Sequence, residues 1–158
     1  MAPKSGEPVG WLGDDRGPAW LNLVKVLLTL PGVLESQLSR DADLTLLGYM
    51  ILSRLAAMPD ATLRMSEVAQ MANGSLPRIS HAVTRLEERG WVERTVCTGQ
   101  GRRFTTVTLT DAGRAHVEAA APGHVAKVRR LVVEPLGEDF WTVCAAAERI
   151  VEALGLPR

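Results

Sequence analysis

Residues 75–114, "SLPRISHAVTRLEERGWVERTVCTGQGRRFTTVTLTDAGR", carry the clearest structural signals in the chain. Pro77 suits the first turn of a helix, and Gly90 suits its C-terminal end. After that glycine, "WVERTV" and "TTVTL" are two β-prone runs joined by the glycine-containing loop "CTGQGRR", a pattern typical of a β-hairpin. The stretch therefore predicts one helix followed by a hairpin, with Arg102 and Arg103 at the hairpin tip.

Upstream of this stretch, apolar periodicity predicts three more helices. The first spans about residues 20–39, with a kink at Pro31. The second lies in "DLTLLGYMILSRLAAMPD", with Asp43 or Thr45 as its N-cap, and the third lies in "RMSEVAQMANGS", with Ser66 as its N-cap. Two short helices joined by a tight turn and followed by a hairpin describe a winged helix-turn-helix.

Downstream, two long helices are expected. "TDAGRAHVEAAA" opens the first, which Pro122 and Gly123 should bend or interrupt, and "EDFWTVCAAAERIVEALG" forms the second, with an apolar stripe from Phe140 to Leu154. The predicted fold class is therefore mainly α with a small β-hairpin wing.

Length and composition indicate an ordinary globular protein. The chain has 158 residues, 46% of them hydrophobic, and a formal net charge of zero, so we expect one domain. Cys97 and Cys144 form no CxxC pair, which favours a cytosolic protein without a disulfide framework. The most apolar stretch, "AWLNLVKVLLTLPGVL", is interrupted by Asn22, Lys25 and Pro31 and is expected to be too short for a bilayer. With no signal peptide evident, we expect a cytoplasmic protein without a membrane partner.

The fourth predicted helix separates into an apolar and a polar face. Its apolar residues are Leu76, Ile79, Val83 and Leu86, and its polar side carries Pro77, Arg78, Ser80, His81, Thr84, Arg85 and Glu88. Small polar groups and arginines can approach base edges in a major groove or bind phosphate. The polar side is therefore a candidate DNA-recognition surface.

Basic residues are concentrated around this helix. Residues 64–103 hold seven basic and four acidic side chains, a net charge of +3, while the rest of the chain carries −3. Arg102 and Arg103 would reach the DNA backbone or minor groove, with Gly99 and Gly101 letting the loop turn tightly. Two alternatives stay open: a solvated hairpin with a basic tip, and a winged helix that binds protein or ligand but not DNA.

Three motifs in this order, "RMSEVA", "VTRLEERGWVER" and "TVTLTDAGR", resemble those of MarR-family transcriptional regulators. The resemblance covers residues 44–120 well and the flanking helices by arrangement only. It departs from the family at the wing, where Gln100 and Gly101 replace the acidic residue of a D-x-R pattern, and at "NGSLPRIS", where hydroxyl residues are commoner.

The resemblance implies a homodimer that binds a palindromic operator in double-stranded DNA, as a repressor or an activator. Its recognition helices should lie about 34–36 Å apart, one turn of DNA. The implied parts are a flexible tail at residues 1–18, a dimerisation helix at 19–42, the winged helix-turn-helix at 43–110 and C-terminal dimerisation helices at 111–158.

The resemblance also implies the binding residues. Major-groove contacts are expected from Arg78, Ser80, His81, Thr84 and Arg85, beside Pro77, and phosphate or minor-groove contacts from Asn73, Ser75, Arg102 and Arg103. A small lipophilic or phenolic effector is expected between the dimer helices and the winged region, with contributions from Trp20, Tyr49 and Met50. Aromatic core packing is the alternative role for these three residues.

Catalytic and metal sites are not expected. His81, His116 and His124 form no i,i+3 or i,i+4 pair, and the sequence has no P-loop, GxSxG or strand-linked GxGxxG. We therefore expect no enzyme and no cofactor. His116 and His124 are expected to be surface or dimer-interface groups, and the two cysteines small apolar fillers rather than redox sensors.

Overall fold

The computed structural model of the chain describes residues 16–71, 76–99 and 101–156. Its elements are α1 (Arg16–Ala42), α2 (Leu46–Ala56), β1 (Thr62–Arg64), α3 (Met65–Met71), α4 (Leu76–Glu88), β2 (Val92–Gly99), β3 (Arg102–Leu109), α5 (Asp111–Val128), a π-helical turn (Arg129–Val133), α6 (Glu134–Leu136), a 3-10 turn (Gly137–Asp139) and α7 (Phe140–Ala153). The mainly helical fold with a hairpin wing is confirmed. Asn73, Ser75 and most of the predicted tail lie outside the described residues.

The chain divides into two compact units, Met1–Val33 and Leu34–Arg158. In the first unit, α1 begins at Arg16, inside the predicted tail, and runs through Pro31. Among the described residues α1 is the one helix that is long and apolar enough to cross a membrane, judged by length and composition alone. The helix reaches this length because it continues through Pro31, but a helix of a soluble protein meets the same criteria, so they do not assign α1 to a membrane.

The second unit is built around the apolar face predicted for α4. Ile79 and Val83 are fully buried and Leu86 is 4% exposed. They belong to a cluster that includes Ile51 of α2 and Val107 of β3. Burying a side chain of this size stabilises a fold by about 1.5–3 kcal/mol, so the cluster fixes which side of α4 faces solvent.

The sheet has three antiparallel strands in the order β1-β3-β2. The sequence predicted β2 and β3 but not β1, whose Arg64 pairs with Thr106. At the other end of β3, Arg102 pairs with Gly99. Gly99 is therefore a ladder residue rather than a turn residue, and only residues 100 and 101 connect the strands. Gly101 has a φ of 73°, which glycine adopts without a steric penalty.

Helix ends follow the sequence at two positions. The backbone N–H of Gly48 donates to Thr45 Oγ1 at 3.0 Å, so Thr45 is the N-cap of α2. Gly90 has a φ of 72°, and its N–H donates to the carbonyl of Glu87 at 2.8 Å. This glycine ends α4 as predicted.

Helix ends differ from the sequence expectations at two other positions. Ser66 lies inside α3, which begins at Met65, while the Glu67 carboxylate accepts the backbone N–H of Arg64 at 2.6 Å. Ser66 is therefore not the N-cap. Pro122 does not interrupt α5, which continues to Val128, and the first departure from α-geometry is the π-helical turn after it.

Candidate nucleic-acid interface

The outward side of α4 presents the polar residues that the sequence placed there. Pro77, Arg78, His81 and Arg85 are exposed, whereas Ser80 and Thr84 are half-buried. The Thr84 hydroxyl donates to the carbonyl of Ser80 at 2.9 Å. Its proton is thus already used within the helix, and only its oxygen lone pairs remain for another partner.

Some basic residues near α4 are already engaged by carboxylates. Arg89 pairs with Asp43, and Arg94 Nε donates to Glu87 Oε2 at 2.9 Å. The hydrogen bond from Arg94 holds the pKa of the Glu87 carboxyl below its usual value, just as the bond from Arg89 lowers the pKa of Asp43. The positive charge open to a ligand is therefore smaller than the number of basic residues implies.

Other basic side chains carry no such partner. Within the described part of the chain, Arg78, Arg85 and Arg103 form no salt bridge, and all three are exposed. Arg103 is the second residue of β3, after Arg102. These three uncompensated cations lie on the outward side of α4 and at the start of β3.

A cleft of about 610 Å³ borders the same side of α4. Its lining includes Arg78, His81 and Arg85 of α4, together with Glu35 and Asp43. Its walls therefore carry both signs of charge.

A cluster behind the end of α4 was missed by the sequence analysis. The His116 ring stacks on Trp91 with centroids 3.9 Å apart, and His116 Nε2 lies 2.8 Å from the carbonyl oxygen of Ala42. His116, which is half-buried, thus links Trp91 to the end of α1, and the surface or dimer-interface role expected for it stays a prediction. No local signal could have shown this, because the bonded residues are 74 positions apart.

The three residues assigned to an effector do not share one environment. Trp20 belongs to α1 in the first compact unit and is 38% exposed. In the second unit, Met50 of α2 is 43% exposed, and half-buried Tyr49 packs against His124 with ring centroids 4.4 Å apart.

Unpaired polar atoms occur in the interior near Tyr49. Gln37 Oε1, Ser53 Oγ and His124 Nδ1 are buried without a hydrogen-bond partner in the described structure. Burial lowers the pKa of the His124 imidazole, because a low-dielectric surrounding disfavours the charged form. Buried polar atoms of this kind normally find partners.

Other chemical sites are not evident among the described residues. No group of three or more His, Cys, Asp or Glu side chains there could hold a metal ion. Cys97 and Cys144 are both free and half-buried.

Known proteins resemble this chain in both sequence and fold. The sequence model of the MarR family matches residues 42–103, which run from the end of α1 into β3. No curated protein sequence matches the chain.

Solved structures match over nearly the whole chain. Sco3205, a MarR family transcriptional regulator from Streptomyces coelicolor solved in complex with DNA, is 35% identical, with 93% of this chain and 95% of that chain covered and a TM-score of 0.84. AbsC from the same organism, also a MarR family regulator, is 34% identical, with 91% and 97% covered and a TM-score of 0.84. NadR, solved in complex with 4-hydroxyphenylacetate, is 20% identical, with 92% and 97% covered and a TM-score of 0.62, and shares the fold.

Proposed function

This chain belongs to the MarR family of transcriptional regulators, and we propose that it binds a specific double-stranded DNA operator through α4 and the wing. The observation that carries the proposal is the set of unpaired, exposed arginines, Arg78, Arg85 and Arg103, on α4 and the adjoining hairpin. Arginine is the side chain that most often reads guanine and binds phosphate. The matched regulator Sco3205 was solved with DNA.

The proposed roles follow the exposure of each residue. Arg78, Ser80, His81 and Arg85 enter the major groove, with Pro77 beside them in the first turn of α4. Thr84 acts as an acceptor only, because its proton is bonded to Ser80. Asn73, Ser75, Arg102 and Arg103 contact phosphate or the minor groove.

We also propose that the chain acts as a homodimer on a palindromic site. In the first unit, Leu27 and Leu28 of α1 are 57% and 78% exposed, and in the second unit Trp141 of α7 is 77% exposed. Apolar surfaces of this kind mark protein interfaces, and a second copy of the chain gives two-fold symmetry that matches a palindrome. The two α4 helices should lie about 34–36 Å apart.

An effector is the second part of the proposal. The buried, unpaired atoms of Gln37, Ser53 and His124, beside Tyr49, offer hydrogen-bond partners to a small phenolic or lipophilic compound. Met50 is proposed to contribute to this site, and the effector role of Trp20 stays a prediction from the sequence. NadR, which shares the fold, was solved with 4-hydroxyphenylacetate.

No catalytic activity or cofactor is proposed, since the matched structures are transcriptional regulators. A cytoplasmic location is consistent with this family. We propose that the apolar α1 packs against a partner copy rather than entering a membrane.

The test is selection of bound duplexes from random DNA with the wild-type chain. Recovery of one palindromic sequence, together with loss of that preference in Arg85→Ala, supports the proposal. Recovery of no DNA by a folded dimer would instead favour the alternative, a winged helix that binds only protein or ligand.

A further inference from the structure

Arg64, at the end of β1, lies beside the wing rather than in the helix-turn-helix face. Its backbone pairs with Thr106 of β3, but its guanidinium carbon sits 4.4 Å from the ring centroid of Phe104. Phe104 is two residues nearer the hairpin turn than Thr106. Since a strand rises about 3.3 Å per residue, the Arg64 side chain leans roughly 6–7 Å towards the turn.

Among the described residues, no carboxylate forms a salt bridge with Arg64. The side chain is exposed. The nearby Glu67 carboxylate accepts the backbone N–H of Arg64 at 2.6 Å instead. The contact with Phe104 is made at the guanidinium carbon, so the N–H donors of Arg64 remain available to another partner.

The stack also restricts the side chain in advance. A free arginine loses rotamer entropy when it is fixed. Contact with Phe104 removes part of that freedom before any ligand arrives, which lowers the cost of binding.

Arg64 and Arg103 lie on different faces of the wing. Side chains alternate along a strand, so Arg103 projects to the opposite face from its neighbour Phe104, on which Arg64 rests. Both cations are exposed. A hairpin that enters a groove of DNA has a phosphate backbone on each side, and a cation on each face suits that arrangement.

We propose that Arg64 is an additional phosphate-binding residue, held in place by Phe104, that contacts the DNA backbone on the face of the wing opposite to Arg103. This inference rests on the proposed DNA-binding function. It adds to the binding surface a residue from β1, outside both α4 and the hairpin.

The test compares Arg64→Gln, Arg64→Lys, Phe104→Leu and Arg103→Gln. Binding to the selected operator and to a random duplex is measured by fluorescence anisotropy between 0.05 and 0.2 M salt, with thermal unfolding as the folding control. Arg64→Gln should lower the slope of log K against log salt by about 0.9 for each phosphate that is no longer neutralised, or about 1.8 in a homodimer. As the salt concentration rises from 0.05 to 0.2 M, the ratio of the wild-type binding constant to that of Arg64→Gln should then fall by about 12-fold.

The remaining variants separate a DNA contact from simple packing. Arg64→Lys should keep the slope, because the charge stays, and Phe104→Leu should keep the slope while weakening binding to both duplexes. If Arg64→Gln leaves slope and affinity unchanged while Arg103→Gln lowers them, Arg64 only covers Phe104 and the inference is wrong. A wild-type chain that binds neither duplex refutes the proposed function itself.

Discussion

The imidazole of His116 lies nearly parallel to the indole of Trp91, with an angle of 14° between the planes. His116 also contacts the carbonyl of Ala42. This one side chain of α5 therefore contacts both Ala42, at the end of α1, and Trp91, just after the end of α4. Arg89 reaches the same indole at 5.5 Å and pairs with Asp43. The C-terminal end of α4 is thus fixed to the helices around it by contacts between residues far apart in sequence.

Removing this tie should destabilise the fold. His116→Ala removes an aromatic stack and a hydrogen bond, each of which contributes about 0.5–1.5 kcal/mol, so the free energy of unfolding should fall by about 1–3 kcal/mol in urea titrations. His81→Ala is the matched control, since His81 is exposed, and it should change stability by less than about 0.5 kcal/mol. Equal effects of the two substitutions would contradict the assignment.

Two glycines of α5 should respond in opposite ways to alanine. A Cβ at Gly113 would lie 2.0 Å from the Trp91 carbonyl oxygen, whereas one at Gly123 would lie 3.4 Å from Gln37 Nε2. Gly113→Ala should therefore destabilise by about 3 kcal/mol or more, while Gly123→Ala should stabilise by about 0.4–1 kcal/mol through helix propensity. Thermal unfolding of both variants checks the pair, and a tolerated Gly113→Ala would show that the approach to Trp91 is not tight.

The Glu87–Arg94 pair should make stability depend on pH. The pKa of Glu87 is lowered in the folded state, so ionised Glu87 contributes stability above its ordinary pKa of 4.5, and the contribution disappears as the pH falls through the lowered value. Glu87→Gln should cost about 0.2–1 kcal/mol at neutral pH and nothing in strong acid. Glu88→Gln serves as the control. If the free energies of unfolding of wild type and Glu87→Gln differ by the same amount at every pH, the linkage is disproved.

Arg85 and Thr84 should differ as DNA contacts despite being neighbours. Arg85→Ala should weaken operator binding by about 1–3 kcal/mol and random-duplex binding by less, if Arg85 reads a base. Thr84→Val should weaken operator binding much less, because the Thr84 proton already bonds to Ser80. Gel shifts with both duplexes measure this, and equal losses on the two duplexes for Arg85→Ala would make it a phosphate contact.

A charge on α1 should separate the proposed dimer. Leu28 is 78% exposed in the single chain, so Leu28→Glu disturbs little within it but places a charge in an apolar interface. Light scattering coupled to size exclusion should then show a monomer. Asn22→Glu, an exposed polar position on the same helix, should remain dimeric, and a dimeric Leu28→Glu would place the interface elsewhere.

The sequence predicted those features that depend on neighbouring residues. The 3.6-residue period of Ile79, Val83 and Leu86 identified the buried side of α4, and Gly90 marked its end because a positive φ is a local requirement. The same period predicted that Arg78 and Arg85 of α4 are exposed.

The features that the sequence missed depend on distant partners. β1 is three residues long, too short to show alternation, and exists because Leu63 pairs with Val107. Pro31 suggested a kink and Pro122 a bend or an interruption, and both helices continue through these residues. In the same way, the net charge of residues 64–103 did not show that Asp43 engages Arg89 and that Glu87 engages Arg94.

The three-stranded sheet divides the wing into a base, where β3 has a neighbouring strand on each side, and an outer hairpin, where β3 pairs with β2. The two parts should tolerate substitutions differently. From Thr106 to Thr108, β3 is paired on both sides, with β1 and with β2, so substitutions there disturb the segment that leads into α3. Beyond Thr105 only β2 remains alongside it. The outer hairpin can therefore change in length and sequence with less effect on the fold than its base can.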